Sequence, residues 1–459
     1  MPPARPAVHL TPVDTWMNDP NGLFLRDGRW HAFYQNNPVG SAWGHMSWRH
    51  AVSDDLLTWT DLGVAIPEED GTAIFSGSVV HDSRNTSGLA PAGGPGPLVA
   101  IYTGNVSTGD PAQHGPQVQN LAVSTDDGAT WVKYVGNPVL DRGSTDFRDP
   151  QVLRHEPTGR WVMVTVEAQD HEVLLHTSVD LVHWEHASTY RDDRLDGIWE
   201  CPDLVPLDAA HPEGAWLLIV STNPHGPAGG SGTWGVPGTF DGTAFTATDA
   251  PQPLDHGPDH YAAVSFWGVD GAPLVMPWAS NWDYARHAPT WPWRGTMGLA
   301  RTVALEPADD GPRRLVLIPV LPAAPRPPEG PRLDPGAVHV LRLPLPPAGA
   351  AWELATPDRV ELRLERTAQD TLVMRRAESA LPALADDGRP KPGRPVFGDR
   401  TRTLPIPVDG ERDELVLALD GCVAELLVAR RDQGASPTGP MATMLFFPAE
   451  GAWELRRDW

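Results

Sequence analysis

Cysteine is almost missing from this chain. The two present, Cys201 and Cys422, lie far apart in 459 residues, so a disulfide framework does not hold the fold together and nothing demands an oxidising compartment. Long apolar runs are missing too: none approaches the roughly 20 residues of a membrane span, and the start Met1-Pro-Pro-Ala-Arg-Pro6 has no apolar core of a signal peptide. A cytoplasmic location is the expectation. Positive charge is scarce, with 35 basic against 59 acidic residues and a net charge of -24, a balance that repels nucleic-acid phosphates and anionic lipid alike. Partners are expected to be neutral, with neither nucleic acid nor membrane among them. The 17 histidines are scattered and form no His/Cys cluster of zinc type, so no metal and no cofactor is expected. His45 and His50 read as packing or hydrogen-bonding residues.

Sustained helical periodicity is also lacking. From about Val8 to Val320 the chain alternates short apolar or aromatic runs with Gly, Pro, Asp and Asn, which reads as all-β. Trp30-His-Ala-Phe-Tyr34, Leu98-Val-Ala-Ile-Tyr102, Trp161-Val-Met-Val-Thr-Val166 and Trp216-Leu-Leu-Ile-Val220 are such runs. A weak repeat joins them: Ser53-Asp-Asp-Leu-Leu-Thr-Trp59, Ser124-Thr-Asp-Asp-Gly-Ala-Thr-Trp131 and Ser178-Val-Asp-Leu-Val-His-Trp184 each run from Ser through an Asp turn to Trp. One turn recurring in several small sheets is what a β-propeller produces. Prolines then crowd Pro322 to Pro331, a connector composition. Beyond it Arg359-Val-Glu-Leu-Arg-Leu-Glu365 and Glu414-Leu-Val-Leu-Ala-Leu-Asp420 alternate as half-buried sandwich strands do. The expected organisation is a propeller over 1–320, a Pro-rich linker over 321–347 and a β-sandwich over 348–459, with Pro392 to Arg402 as a loop.

Three carboxylates stand in unusual company. Asp19 lies in Trp16-Met-Asn-Asp-Pro-Asn-Gly22, read as a tight turn that aims the side chain outward; alone, this is ordinary turn chemistry. Asp149 lies in Phe147-Arg-Asp-Pro150, where the adjacent Arg148 can keep it ionised; alone, this is a surface ion pair. Glu200 lies in Trp199-Glu-Cys-Pro-Asp203, flanked by an aromatic ring and a thiol that would raise its pKa; alone, it is an edge-strand Glu before proline. Together they suit glycoside hydrolysis, which needs one ionised carboxylate and one protonated carboxyl group. Asp19 is expected to stay near its ordinary pKa of about 3.9 and Glu200 to be lifted towards about 6. Neutral sugars also fit the acidic charge balance.

The sequence resembles glycoside hydrolase family 32, the family of invertases, exo-inulinases, levanases and sucrose-6-phosphate hydrolases. Beside the three acidic motifs the likeness includes Phe33-Tyr-Gln35, Trp43-Gly-His-Met-Ser-Trp48, Phe75-Ser-Gly-Ser78, Trp278-Ala-Ser-Asn-Trp-Asp-Tyr-Ala285 and Pro289-Thr-Trp-Pro-Trp-Arg-Gly-Thr-Met297. It implies a five-bladed β-propeller followed by a β-sandwich, and a retaining exo-acting β-fructosidase that releases terminal fructose from sucrose, inulin or levan. It further implies Asp19 as nucleophile, Glu200 as acid/base and Asp149 as transition-state stabiliser. Trp16, Met17, Asn18, Gln35, Trp43, Phe75, Ser76, Arg148 and Trp282 would line the fructose subsite, with Trp278 competing for the last aromatic wall. Asn36 and His260 depart from the family pattern at a rim or blade position. Two alternatives stand beside hydrolysis: a fructosyltransferase using the same covalent intermediate, and a carbohydrate-binding propeller without catalysis.

Overall fold

A computed structural model describes residues 3–107, 115–211, 213–308, 311–323, 331–369, 371–397, 403, 406–408, 413–430 and 437–459. From Trp16 to Pro319 the chain forms five antiparallel sheets of four successive strands; the fourth carries an added short strand, Gln252–Pro253. Blades I to V open with Trp16–Arg26, Thr72–His81, Phe147–His155, Ile198–Pro206 and Tyr261–Ser265. These first strands meet in a ring, each against the next and the fifth against the first. The molecule is thus a five-bladed propeller with its first strands innermost.

The apolar runs of the sequence fall in one structural place. Trp30–Tyr34, Leu98–Tyr102, Trp161–Val166 and Trp216–Val220 all belong to second strands, which are covered by neighbouring blades on both faces and therefore lose the apolar/polar alternation. Outer strands such as Thr60–Ile66 are largely exposed. The Ser-to-Trp repeat is the turn from third to fourth strand in blades I, II and III. Ser53, Ser124 and Ser178 accept from the N–H of Leu56, Gly128 and Leu181 at 2.8, 2.9 and 2.9 Å. Asp55, Asp126 and Asp180 accept from Thr58, Thr130 and His183 at 2.6, 2.9 and 2.8 Å. In blade IV Asp241 performs the same task without the serine.

The C-terminal part packs a six-stranded sheet against a four-stranded one around Leu354, Leu362, Leu417, Leu426 and Trp453. It begins earlier than 348. Arg332–Leu333 and His339–Pro344, within the stretch expected to be linker, are strands of the two sheets, because Val340-Leu-Arg-Leu343 alternates between the prolines. The linker's centre, 324–330, lies outside the described residues. The expected loop at Pro392 is likewise in part a strand: Pro390–Pro395 pairs with Pro382–Leu384, while 398–402 lie outside the described residues.

Candidate active site

One defect recurs in the innermost strand of every blade. In each, two residues oppose one on the second strand: Asn18-Asp19 against Gln35, Phe75-Ser76 against Thr103, Asp149-Pro150 against Thr165, Cys201-Pro202 against Val220 and Ala262-Ala263 against Pro277. A bulge bends the strand and re-aims its side chains, and it tolerates proline because the ladder bond is already lost. The tight turn expected around Asp19 is therefore a bulged strand. Asn21 holds it: its Oδ1 accepts from Gly77 N at 3.1 Å and Gln35 Nε2 at 3.3 Å, and its Nδ2 donates to Asp19 O at 2.5 Å. Asp149, Cys201 and Ala262, each first in its bulge, take positive φ values of 62°, 47° and 52°, a conformation costly enough for such residues to need enforcement by their surroundings.

The bulges bring the acids together. Arg148, Glu200 and Tyr261 occupy the same position, just before the bulge, on three successive blades, and they touch. Arg148 Nη2 donates to Glu200 Oε1 at 3.2 Å, and the Tyr261 hydroxyl donates to Glu200 Oε2. Arg148 Nε lies 3.8 Å from Asp149 Oδ2, which accepts from Cys201 N at 2.9 Å. Asp19 Oδ2 accepts from Ser76 Oγ at 3.1 Å and faces Cys201 Sγ at 3.7 Å, while its buried Oδ1 has no partner among the described residues. Glu200 thus meets polar donors rather than the apolar wall expected from its sequence neighbours. Side chains alternate along a strand, and Trp199 points away into the core between blades III and IV.

The charge pattern also differs from expectation. Burial, then the nearby Glu200, push the Asp19 carboxyl up to about 6 against hydrogen bonds from Asn18 and Ser76. Burial raises Asp149 as well; Arg148 pulls it back and Glu200 pushes it up again. Burial would lower Arg148, but Glu200 and Asp149 outweigh it and raise it, so it is a permanent cation. Burial followed by Glu200 raises Tyr261 well above the ordinary phenol value, so it remains a donor. A carboxyl raised on folding favours the native state fully below its unfolded pKa of about 4, and that benefit is lost as pH rises through the folded value near 6. Asp19→Asn should therefore raise the thermal midpoint at pH 7.5, by up to about 3 kcal/mol in stability. The gain should vanish at pH 4; an equal gain at both pH values would show that charge is not its cause.

The remaining expected residues divide into two groups. Asn18, Gln35, Phe75, Ser76 and Arg148 surround the acids from innermost strands or directly opposite a bulge. Trp43, 41% exposed, packs edge-on against Phe75 at 6.1 Å. Trp282 is half-buried and Trp278 buried, so of the two only Trp282 offers a face to the opening. Trp16 and Met17, expected to touch the sugar, are wholly buried and lie behind the pocket. Trp16 stacks on Trp282 at 5.9 Å, and its Nε1 donates to Asn18 Oδ1 at 2.6 Å, so it positions what does reach the pocket. Asn36 is buried and donates to Thr15 Oγ1 and Trp16 O at 2.8 and 2.7 Å. His260 is buried near Asp255, Arg301 and Glu425, away from the acids. Sequence reasoning missed Tyr261 and Asn21. The recurring position before the bulge would have found Tyr261 once the blades were aligned.

Comparison with known proteins identifies the family. The profile of the glycosyl hydrolases family 32 N-terminal domain matches residues 9–319. The chain is 44% identical to a levanase of Bacillus subtilis over 321 residues, 67% of this chain and 46% of that protein. It is 40% identical to an extracellular exo-inulinase of Meyerozyma guilliermondii over 330 residues, 68% of this chain and 62% of that protein. The match thus spans about half to three-fifths of these relatives' length. In structure it resembles a beta-fructofuranosidase from Schwanniomyces occidentalis complexed with fructosyl-erythritol: TM-score 0.82, 29% identity, covering 99% of this chain and 94% of that one. With a profile match across the whole propeller, the chain belongs to glycosyl hydrolase family 32.

Proposed function

We propose that this protein is a retaining, exo-acting β-fructosidase that hydrolyses terminal β-D-fructofuranosyl residues of sucrose or fructans. The observation that carries the reading is the convergence of Asp19, Asp149 and Glu200, from three innermost strands, on one charge-coupled cluster. Asp19 attacks the anomeric carbon while Glu200 gives its proton to the leaving oxygen. Glu200 then takes a proton from the water that releases fructose from Asp19. Both its oxygens are held, by Arg148 and Tyr261, so the carboxyl plane is fixed for both transfers. Asp149, held by Arg148 and Cys201 N–H, binds fructose hydroxyls more strongly as the ring flattens and positive charge develops. The levanase, exo-inulinase and fructofuranosidase names of its relatives support the substrate class.

A panel of sucrose, sucrose-6-phosphate, kestose, inulin and levan, read by free fructose, tests this. Release from at least one, with equal glucose and fructose from sucrose, is the expected result. Oligosaccharides at high sucrose would mean transfer, and binding without turnover would mean a lectin-like propeller.

A further inference from the structure

Beside the rings of Trp43 and Trp282 one cation has its donors unspent. Arg286 lies exposed in the short 3-10 turn Ala285–His287. Its guanidinium carbon is 5.6 Å from the ring centre of Trp43 and 5.7 Å from that of Trp282, a spacing at which both π faces attract it. Among the described residues the guanidinium makes no hydrogen bond and no ion pair, whereas Arg148, Arg294, Arg301 and Arg376 are all engaged.

Two chains of contact lead from Arg286 to the nucleophile. Trp282 stacks on Trp16, whose indole holds Asn18 beside Asp19. Trp43 packs on Phe75, and the next residue, Ser76, holds Asp19 itself. Arg286 therefore closes an aromatic collar around Asp19 at its outer edge. The backbone there is tied to the sandwich through Arg294 of the propeller, which donates through Nη1 to Arg286 O at 2.9 Å and through Nη2 to Ala385 O at 3.2 Å. The turn between Pro382–Leu384 and Pro390–Pro395 is itself seated on the rim, where Gly388 lies so close to Trp291 that a Cβ would be 2.5 Å from the ring.

We infer that Arg286 determines specificity on the leaving-group side, its N–H donors binding oxygens of the sugar next to the terminal fructose. This rests on the fructosidase reading. A ring held against Asp19 fills the collar's interior, so what reaches Arg286 is the unit beyond it. A sugar offers many acceptor oxygens, and a guanidinium is a donor only, in a flat fork.

Arg286→Ala should raise KM for sucrose and 1-kestose about tenfold with kcat within about twofold of wild type. Methyl β-D-fructofuranoside, which has no second ring, should keep its kcat/KM. Arg286→Lys should recover only part of the loss, because charge without the planar fork is not enough. An unchanged sucrose KM in Arg286→Ala, or an equal loss on the methyl fructoside, overturns the assignment. Arg286→Gln gives the same comparison should the alanine variant fold poorly. No fructose release by the wild type from any of the three would sink the reaction itself, a failure distinct from an unaltered substrate ratio.

Discussion

Asp19→Asn is expected to lower fructose release from sucrose by at least about ten-thousand-fold with little change in KM. The substitution keeps the side chain's shape and its contact to Ser76 and removes only the charge that attacks the anomeric carbon. Glu200→Ala should lose about 10²- to 10⁴-fold on sucrose, whose leaving oxygen needs a proton, and far less on a fructoside with a leaving group that departs as a stable anion. Azide should accelerate the Glu200→Ala enzyme by entering the space the carboxylate left and attacking the fructosyl intermediate without a base. Near-normal fructose release by Asp19→Asn would remove the proposed chemistry. The contrast with stability makes the test sharper. The same variant is expected to gain stability above pH 6, as strained or repelling active-site groups commonly trade stability for rate, whereas a merely structural aspartate would lose on both counts.

The fold class was legible because propeller blades leave local marks. Second strands buried on both faces produce apolar runs such as Leu98–Tyr102, and the third-to-fourth turn needs Ser and Asp side chains to satisfy its amides. The three acids were legible through their prolines, since Pro20, Pro150 and Pro202 fall at or just after bulges where no ladder hydrogen bond is needed. What the linear motif hid was direction. Trp16 and Met17 adjoin the nucleophile in sequence yet are wholly buried, and Trp199 turns from Glu200 because neighbours along a strand point to opposite sides. Arg148 and Tyr261 reach Glu200 only through the ring of blades, across separations of 52 and 61 positions that no local pattern expresses. The electrostatics were misread for a related reason. Burial of Asp19 and its repulsion by Glu200 depend on closure of the ring, not on the Asn-Asp-Pro-Asn motif that carries the carboxylate.

The largest stability effect should come from the joint between propeller and sandwich rather than from either core. Arg301 of blade V is fully buried, with Nη1 2.7 Å from Asp255 Oδ2 and Nη2 3.1 Å from Glu425 Oε1 of the sandwich. Asp255 in turn accepts from Thr443 N at 2.8 Å, and His9 lies 2.8 Å from Asp420 and 3.5 Å from Glu425. Burial works against a charge on His9, but Asp420 and Glu425 outweigh it and lift its pKa to about 9, so two cations face three carboxylates at neutral pH. Such a network contributes little net energy when complete, because desolvation offsets attraction, but removing one member leaves a buried charge unpaired. Arg301→Met should therefore cost about 3–5 kcal/mol, read as a fall in the denaturant midpoint, while Arg301→Met combined with Asp255→Asn and Glu425→Gln should recover much of it. Additive losses in the triple variant would show that the arginine acts by packing alone. The apolar layer beside the network is shared in the same way. Leu217, Val275, Val303 and Leu317 of the propeller pack with Val416, Leu427 and Met441 of the sandwich, so the sandwich completes a core that the blades leave open. Through the Pro382–Pro395 ribbon seated on Trp291 and Arg294, loosening of that joint should also be felt at the pocket mouth. Arg301→Met is accordingly expected to weaken sucrose binding before it unfolds the chain.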